Sequence, residues 1–241
     1  MIELLIRKLE QFGTLSNNER QALENLTLEV QQVGAGQDLV VAGHRSMHCL
    51  LLLSGMACRY RSLQDGQRQI MSFHFPGDIL DLTGLLFGKL DHTFATLTPA
   101  EVAPIAHATL EELIARHPGL GRLLWQDTLV DAAVFREWMV NVSRRQAYPR
   151  IAHLLCELVT RMHDTGLMSG QTSTLPVTAA ELADATGLSI VRVNRVLQEL
   201  RAKMLVELRS GVLKVLDWDG LQEAASFDPG YLHQRAVPPA T

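Results

Sequence analysis

Arg192, Asn194 and Arg195 fall within one turn of each other in the stretch ATGLSIVRVNRVLQEL, residues 185–200. In a helix all three turn away from Val193 and Val196, and Arg195 follows Arg192 by one turn. A guanidinium can donate paired hydrogen bonds to the edge of guanine, and an asparagine amide pairs in the same manner with adenine. Ser189, just ahead, is of the type that caps a helix: its hydroxyl oxygen takes up one of the first amides and leaves others free for a phosphate. Ile190 and Val191 cannot hydrogen-bond a base, but they can meet thymine methyl groups. The chemistry these residues offer is recognition of DNA, with Thr178, Ser189, Ile190, Val191, Arg192, Asn194 and Arg195 as candidates. Arginines on a helix are also common as solvated surface groups, so the segment alone leaves both readings open.

The elements around these residues favour the first reading. Residues 179–198 fit two short helices joined by a tight turn, with small Ala183 where they cross, Gly187 in the turn, and Leu182, Val193 and Val196 toward a shared core. Thr178 and Glu181 form a capping box that starts the first helix. Downstream, LVELRSGVLKVLD reads as two short strands about Ser210–Gly211, so the unit is a helix-turn-helix with a wing, and wings commonly meet backbone phosphates. The chain has a net charge of −4, but residues 178–215 hold six basic side chains against four acidic ones. The positive field is local to this segment.

From about residue 28 to 106 the pattern differs. Short apolar runs are punctuated by Gly36, Gly43, Gly55, Gly66 and Gly77, which predicts antiparallel strands in a sandwich or barrel, with a hairpin turn at Asp65–Gly66. Helices bracket this region, and two further capping boxes, Ser16 with Glu19 and Thr109 with Glu112, mark expected helix starts. Between Leu120 and Arg145 apolar residues recur at three- and four-residue intervals over a helix of ~25 residues, ~38 Å long. Leu124, Thr128, Phe135, Trp138 and Val142 form its main stripe, which Leu123, Val130 and Val134 widen and Asp131 interrupts. That stripe serves either as a seam between two copies of the chain or as a face packed along the β-region. Pro149 breaks or restarts the helix, placing a hinge at 146–150.

The expected fold class is α+β. Its organisation is an all-β domain with flanking helices (1–118), a long helix (119–145), and a winged-helix DNA-binding domain with a C-terminal tail (146–241). His163–Pro176 reads as a polar loop, residues 226–241 as a partly disordered tail, and His153 with Glu157 as a surface pair on one helix face.

Several function classes are disfavoured. Hydrophobic residues make up 47% and charged ones 20%, yet no run approaches the roughly 20 apolar residues of a membrane span. The N-terminal MIELLIRKLEQF carries charges throughout, unlike a signal peptide, which puts the protein in the cytoplasm. Cys49, Cys58 and Cys156 form no metal or disulfide pattern and read as reduced core thiols. No nucleophile elbow, phosphate-cradling loop or metal-binding motif is present, so the chain is not read as an enzyme.

The order of parts resembles the cyclic-AMP receptor protein/FNR (Crp/Fnr) family of bacterial transcription regulators across about residues 9–220. The resemblance is carried by GAGQDLVVAGHRSMHCLLLLSGMACRYRSLQDGQRQIMSFHFPGD, by YPRIAHLLCEL, and by LPVTAAELADATGLSIVRVNRVLQEL. It implies a homodimer that binds a near-palindromic double-stranded operator, contacts RNA polymerase, and is gated by a small-molecule effector in a cyclic nucleotide-binding-like β-roll.

The departures narrow the effector. Cyclic-AMP binders of the family carry a Gly-Glu pair and an arginine in the β-roll, and PGDILDLTGLLFGKLDHTFATLTP has neither, which argues against cyclic AMP. Three scattered cysteines argue against an iron–sulfur cluster. Haem is retained as a lesser alternative on His44, His48, His74 or His92. Val191 stands where many members place a glutamate, and Met204 where a glycine is expected before the wing. The competing function is a ligand-, haem- or redox-sensing module that acts through protein contacts rather than DNA.

Overall fold

The computed structural model describes residues 2–164 and 172–233. Two four-stranded antiparallel sheets face each other in its N-terminal half. One has the order β1 (Gln31–Val33), β8 (Ala100–Ala106), β3 (His48–Ser54), β6 (Ile79–Leu80). The other runs β2 (Asp38–Val40), β7 (Thr93–Thr96), β4 (Ala57–Ser62), β5 (Arg68–His74). Leu52, Leu80, Phe94 and Val102 fill the space between them, as the alternation of inward and outward side chains along paired strands requires. The β4–β5 hairpin closes near Gly66, whose φ of +84° is open to glycine without strain.

Helices α1 (Glu3–Glu10), α2 (Asn17–Glu24) and α4 (His107–Arg116) cover the outer face of the first sheet, where Leu5, Ile6 and Leu9 meet Leu51, Ile105 and Leu113. The Ser16–Glu19 capping box is present. The one expected at Thr109 is not, because β8 runs straight into α4, whose N-cap is Ala106, leaving Thr109 inside the first turn. A one-turn helix, α3 (Gly84–Phe87), follows β6.

The long helix is α5 (Pro118–Arg144), and it ends where Arg145 turns extended. Helix α6 (Ala147–Asp164) starts two residues later with Pro149 in its first turn, so the proline restarts the helix where its missing N–H costs no bond. Beyond it lie β9 (Thr172–Thr174), α7 (Ala179–Thr186), α8 (Ile190–Ala202), β10 (Val206–Arg209), β11 (Val212–Val215), α9 (Trp218–Ala225) and a 3-10 turn at Pro229–Leu232. The small sheet has the order β10-β11-β9. Thr172–Thr174 is therefore strand rather than loop, and residues 165–171 of the expected loop lie outside the described residues.

One apolar core joins the halves. Ile70 and Phe73 of the β-roll, Val134 and Trp138 of α5, Leu155 and Leu158 of α6, and Val193 and Leu213 of the winged helix belong to it. Two expectations change here. Ser226–His233 is ordered structure, with Phe227, Tyr231 and Leu232 packed on this core, while residues 234–241 of the expected tail lie outside the described residues. His153 and Glu157 are buried, not a surface pair. The apolar rings that shelter them come from the distant chain end, which no local pattern in α6 announces.

Candidate nucleic-acid interface

Thr178 caps α7: its hydroxyl accepts from the Glu181 N–H at 3.2 Å while the Thr178 N–H donates to the Glu181 carboxylate at 2.6 Å. Gly187 then turns left-handed, with φ +65°, and its N–H returns to the Ala183 carbonyl. Ser189 is extended and its hydroxyl accepts from the Arg192 N–H at 3.3 Å. With the turn held at both ends, α8 buries Val193, Val196 and Leu200 and presents Ile190, Val191, Arg192, Asn194 and Arg195 to solvent. Among the described residues neither Arg192 nor Arg195 has an ion-pair partner. Both guanidinium groups are available for an external acceptor.

The wing turns at Ser210 and Gly211, with φ +49° and +74°, a two-residue turn matched to the twist of the strands. Between α8 and the wing, Met204 has φ +58°. A glycine would sit there without strain, and the methionine is held in the conformation by the N–H bonds of Met204 and Leu205 to Arg201 and Leu200.

The unit is anchored at three points. Arg150 donates to the Thr186 carbonyl at 2.8 Å and to the Arg145 carbonyl at 2.7 Å, joining the end of α7 to the end of α5. Arg68 of the β4–β5 hairpin pairs with Asp184 at 2.8 Å, and the Gln69 amide donates to the Ala185 carbonyl at 3.2 Å.

Along α5 the expected stripe divides. Leu124 packs in the core shared with α1 and α4, and Trp138 is buried against Phe73 with its indole N–H donated to Glu157. Neither can reach a second copy of the chain. Thr128 and Val142 are half-buried, and Phe135 is exposed. The outward apolar face is Trp125, Leu129, Phe135 and Met139, with half-buried Ala132 between them. Asp131, which broke the stripe, pairs with Arg59 of β4 at 2.7 Å.

Where the β-roll meets α5 there is a cavity of about 80 Å³, small beside the roughly 300–1,000 Å³ of ordinary ligand pockets. Lys8, Arg59, Arg161, His74, Asp78, Asp81, Asp127 and Asp131 line it. Its cations are engaged: Lys8 by Asp78 and Asp127, Arg59 by Asp131, and Arg161 by Asp78 at 3.5 Å and Glu157 at 3.7 Å. Burial pushes the Asp81 carboxyl up to about 6, against the opposing Gly84 N–H and Arg59.

His74 has both ring nitrogens occupied, by Ser72 at 2.8 Å and Asp78 at 3.1 Å. His92 bonds Asp91, and His44 and His48 are exposed. Burial pushes the thiols of Cys49, Cys58 and Cys156 up to about 12.

Residues 30–117 match the model of the cyclic nucleotide-binding domain, and residues 149–224 match that of the Crp-like helix-turn-helix domain. The chain belongs to the Crp/Fnr family. Similar proteins include the nitrogen fixation regulation protein FixK of Rhizobium meliloti, 29% identical over 72% of this chain and 76% of that one. The transcriptional activator protein FnrL of Cereibacter sphaeroides is 27% identical over 80% of this chain and 79% of its own. Among solved structures, FixK2 from Bradyrhizobium japonicum superposes with a TM-score of 0.75 at 20% identity, covering 83% of this chain and 98% of that one. Crp/Fnr proteins are DNA-binding transcription regulators and not enzymes, and α7 with α8 is the helix-turn-helix of this member.

Proposed function

We propose that the protein is a homodimeric regulator that pairs along α5 and reads a near-palindromic duplex with the exposed face of α8. The observation that carries this reading is the pair of solvent-facing guanidinium groups, Arg192 and Arg195, without an ion-pair partner among the described residues and one turn apart behind the Ser189 cap. Arg192, Asn194 and Arg195 are the polar readers, Ile190 and Val191 meet thymine methyls, and the amide ends of α7 and α8 at Thr178 and Ser189 receive backbone phosphates.

The dimer seam is Trp125, Thr128, Leu129, Ala132, Phe135, Met139 and Val142. This face keeps Thr128, Phe135 and Val142 of the original stripe and replaces Leu124 and Trp138 with neighbours one residue on. Its members recur at near-3.5-residue spacing, and Trp125, Leu129, Phe135 and Met139 are too large and too exposed to be left to water. Residues 1–118 act as the sensor, 119–145 as the dimer helix, and 146–241 as the reader. Half-sites then lie about one helical turn, ~34 Å, apart. The effector is a signal other than a cyclic nucleotide, because the cations lining the β-roll cavity are already paired to carboxylates and a phosphate would displace them. The protein works in the cytoplasm, with RNA polymerase as its further partner. Among the described residues no helix is long and apolar enough to cross a membrane.

Selection from random duplex DNA, with and without cell extract, tests the reading. Enrichment of a two-fold-related sequence that Arg195→Ala no longer retains supports it. Sequence-blind binding in every condition rejects it, and a requirement for extract shows that a component of the cell gates the protein.

A further inference from the structure

Lys8 is a largely buried cation, its side chain 14% exposed, that no part of the DNA-reading unit explains. Its Nζ lies 2.8 Å from Asp78 Oδ1 and 2.8 Å from Asp127 Oδ1, with Asp127 Oδ2 at 3.1 Å. These partners come from three separate pieces of the chain: Lys8 from α1, Asp78 from the turn after β5, and Asp127 from α5. The position is the wall of the cavity between β-roll and long helix.

Asp78 is a node. Besides Lys8 it meets His74 Nδ1 at 3.1 Å, the Phe75 N–H at 3.2 Å and Arg161 of α6 at 3.5 Å. Arg161 leads on to Glu157, and Glu157 accepts from Trp138 of α5 and Tyr231 near the C-terminus. One run of charge and hydrogen bonds thus extends from α1 through the β-roll to the helix on which the winged helix is built. Burial opposes the charge on Lys8, but Asp127 and Asp78 outweigh it and hold the amine above its ordinary range.

The physical consequence lies in what remains without Lys8. Two carboxylates, one from the β-roll and one from α5, would face each other in a poorly hydrated space with their shared cation removed. Breaking one partner out of a buried charge cluster is far more costly than replacing the whole cluster. Relief comes either from a proton on Asp127, whose carboxyl burial already pushes up, or from α5 shifting away from the β-roll. Either way the bridge between the two is lost, and α5 carries both the proposed seam and, through Arg150, the end of α7.

We propose that Lys8 is a positioning residue for DNA binding, a tethered cation by which the chain itself bridges the β-roll to the long helix. The proposal rests on the DNA-binding reading above. Because the bridging group is covalently part of α1, its effective concentration at the site is fixed and no free ligand is needed to hold these two elements together.

The test uses the full-length protein and the operator obtained by selection. Binding to operator and to unrelated duplex is measured by fluorescence anisotropy for the wild type, Lys8→Ala and Lys8→Arg, with circular dichroism and the thermal midpoint recorded for each. Lys8→Ala is expected to weaken operator binding about tenfold or more while leaving binding to unrelated duplex unchanged. n-Butylammonium chloride is expected to restore part of the loss at an ionic strength where sodium chloride does not, and Lys8→Arg to retain more affinity than Lys8→Ala. A merely structural lysine would instead lower the thermal midpoint and weaken binding to operator and unrelated duplex alike. Should Lys8→Ala not fold, Lys8→Ala/Asp127→Asn removes one charge of each sign and relieves the repulsion. Wild-type operator affinity in a folded variant lacking Lys8 overturns the proposal. A wild type that binds no operator counts against the DNA-binding reading instead.

Discussion

The Tyr231 hydroxyl donates a 2.8 Å hydrogen bond to Glu157 Oε2 across 74 residues of sequence. Glu157 is completely buried, and burial raises its pKa while Arg161, Tyr231 and Trp138 favour the charged form. Tyr231→Phe keeps the ring against His153 but removes one donor from this carboxylate. A loss of ~1–3 kcal/mol is expected. Scanning calorimetry should show a midpoint lower by roughly 2–10 °C, and an unchanged midpoint would mean that the carboxylate finds another donor.

Met204→Gly should stabilise the protein. A non-glycine residue at φ +58° bears a penalty of ~1–2 kcal/mol, partly offset by the extra unfolded-state freedom of glycine. The expected net gain is ~0.5–1 kcal/mol, seen as a higher urea midpoint with an unchanged slope. A lower midpoint would show that the exposed methionine makes a contact worth more than the strain.

Met139→Glu and Trp138→Ala, neighbours on α5, should fail in different ways. The first adds a charge to the outward face and should convert a dimer to the 26.7 kDa monomer in light scattering, with the fold intact. The second empties a core position and should cost ~3–5 kcal/mol in denaturant unfolding. Dimers that persist in Met139→Glu would move the seam elsewhere.

At the DNA face, Arg195→Ala and Arg192→Ala should each cost ~1–3 kcal/mol of specific affinity. The informative substitution is Val191→Glu, because a carboxylate there can accept from the amino group of cytosine. Selection with this variant should recover an operator changed at one position per half-site. An identical operator would place residue 191 away from the bases.

Asp81 supplies a pH signature. Its folded pKa of about 6 lies above the ordinary ~3.9 of an unfolded aspartate, so the native state binds the proton more tightly. The stability this lends is complete below the unfolded value and lost as pH rises through the folded one. Above pH 6 the buried charge is therefore a cost, which Asp81→Asn removes, and asparagine tolerates the φ of +66° found there. The variant should melt higher than wild type at pH 8, by ~1–3 kcal/mol of stability, and the gap should close toward pH 4. A gap independent of pH would assign the effect to packing instead.

Local signals were the legible ones. The caps at Thr178 and Ser189, the turn at Gly187 and the wing turn at Ser210–Gly211 each depend on residues within a few positions, and each is present. The box at Thr109, just as local, is absent because β8 runs straight into α4. The other failures share a cause. Helix α5 is apolar on two sides, so a stripe containing Leu124 and Trp138 looks the same in sequence whether it meets the chain's own core or a partner. Only the strands and helices packed against it distinguish the two. The cluster of Lys8, Asp78, Asp127 and Arg161 was unreadable for the same reason: its members are far apart in sequence and ordinary as surface residues. The near-3.5-residue spacing of Trp125, Leu129, Ala132, Phe135 and Met139 was the one overlooked sequence signal.

The three anchors on the helix-turn-helix, from Arg150, Arg68 and Gln69, bear on the geometry of the operator. A reading head tethered by a loose linker could slide to accommodate half-sites at several separations, losing orientational entropy each time it bound. Here two rigid elements grip α7 from different directions, so that entropy is already lost when the chain folds. In the proposed dimer, inserting even a single base pair between half-sites would rotate one of them about 34–36° around the duplex axis. A head clamped in this way has no means to follow that rotation, which makes spacer length as much a part of the recognised message as the bases themselves.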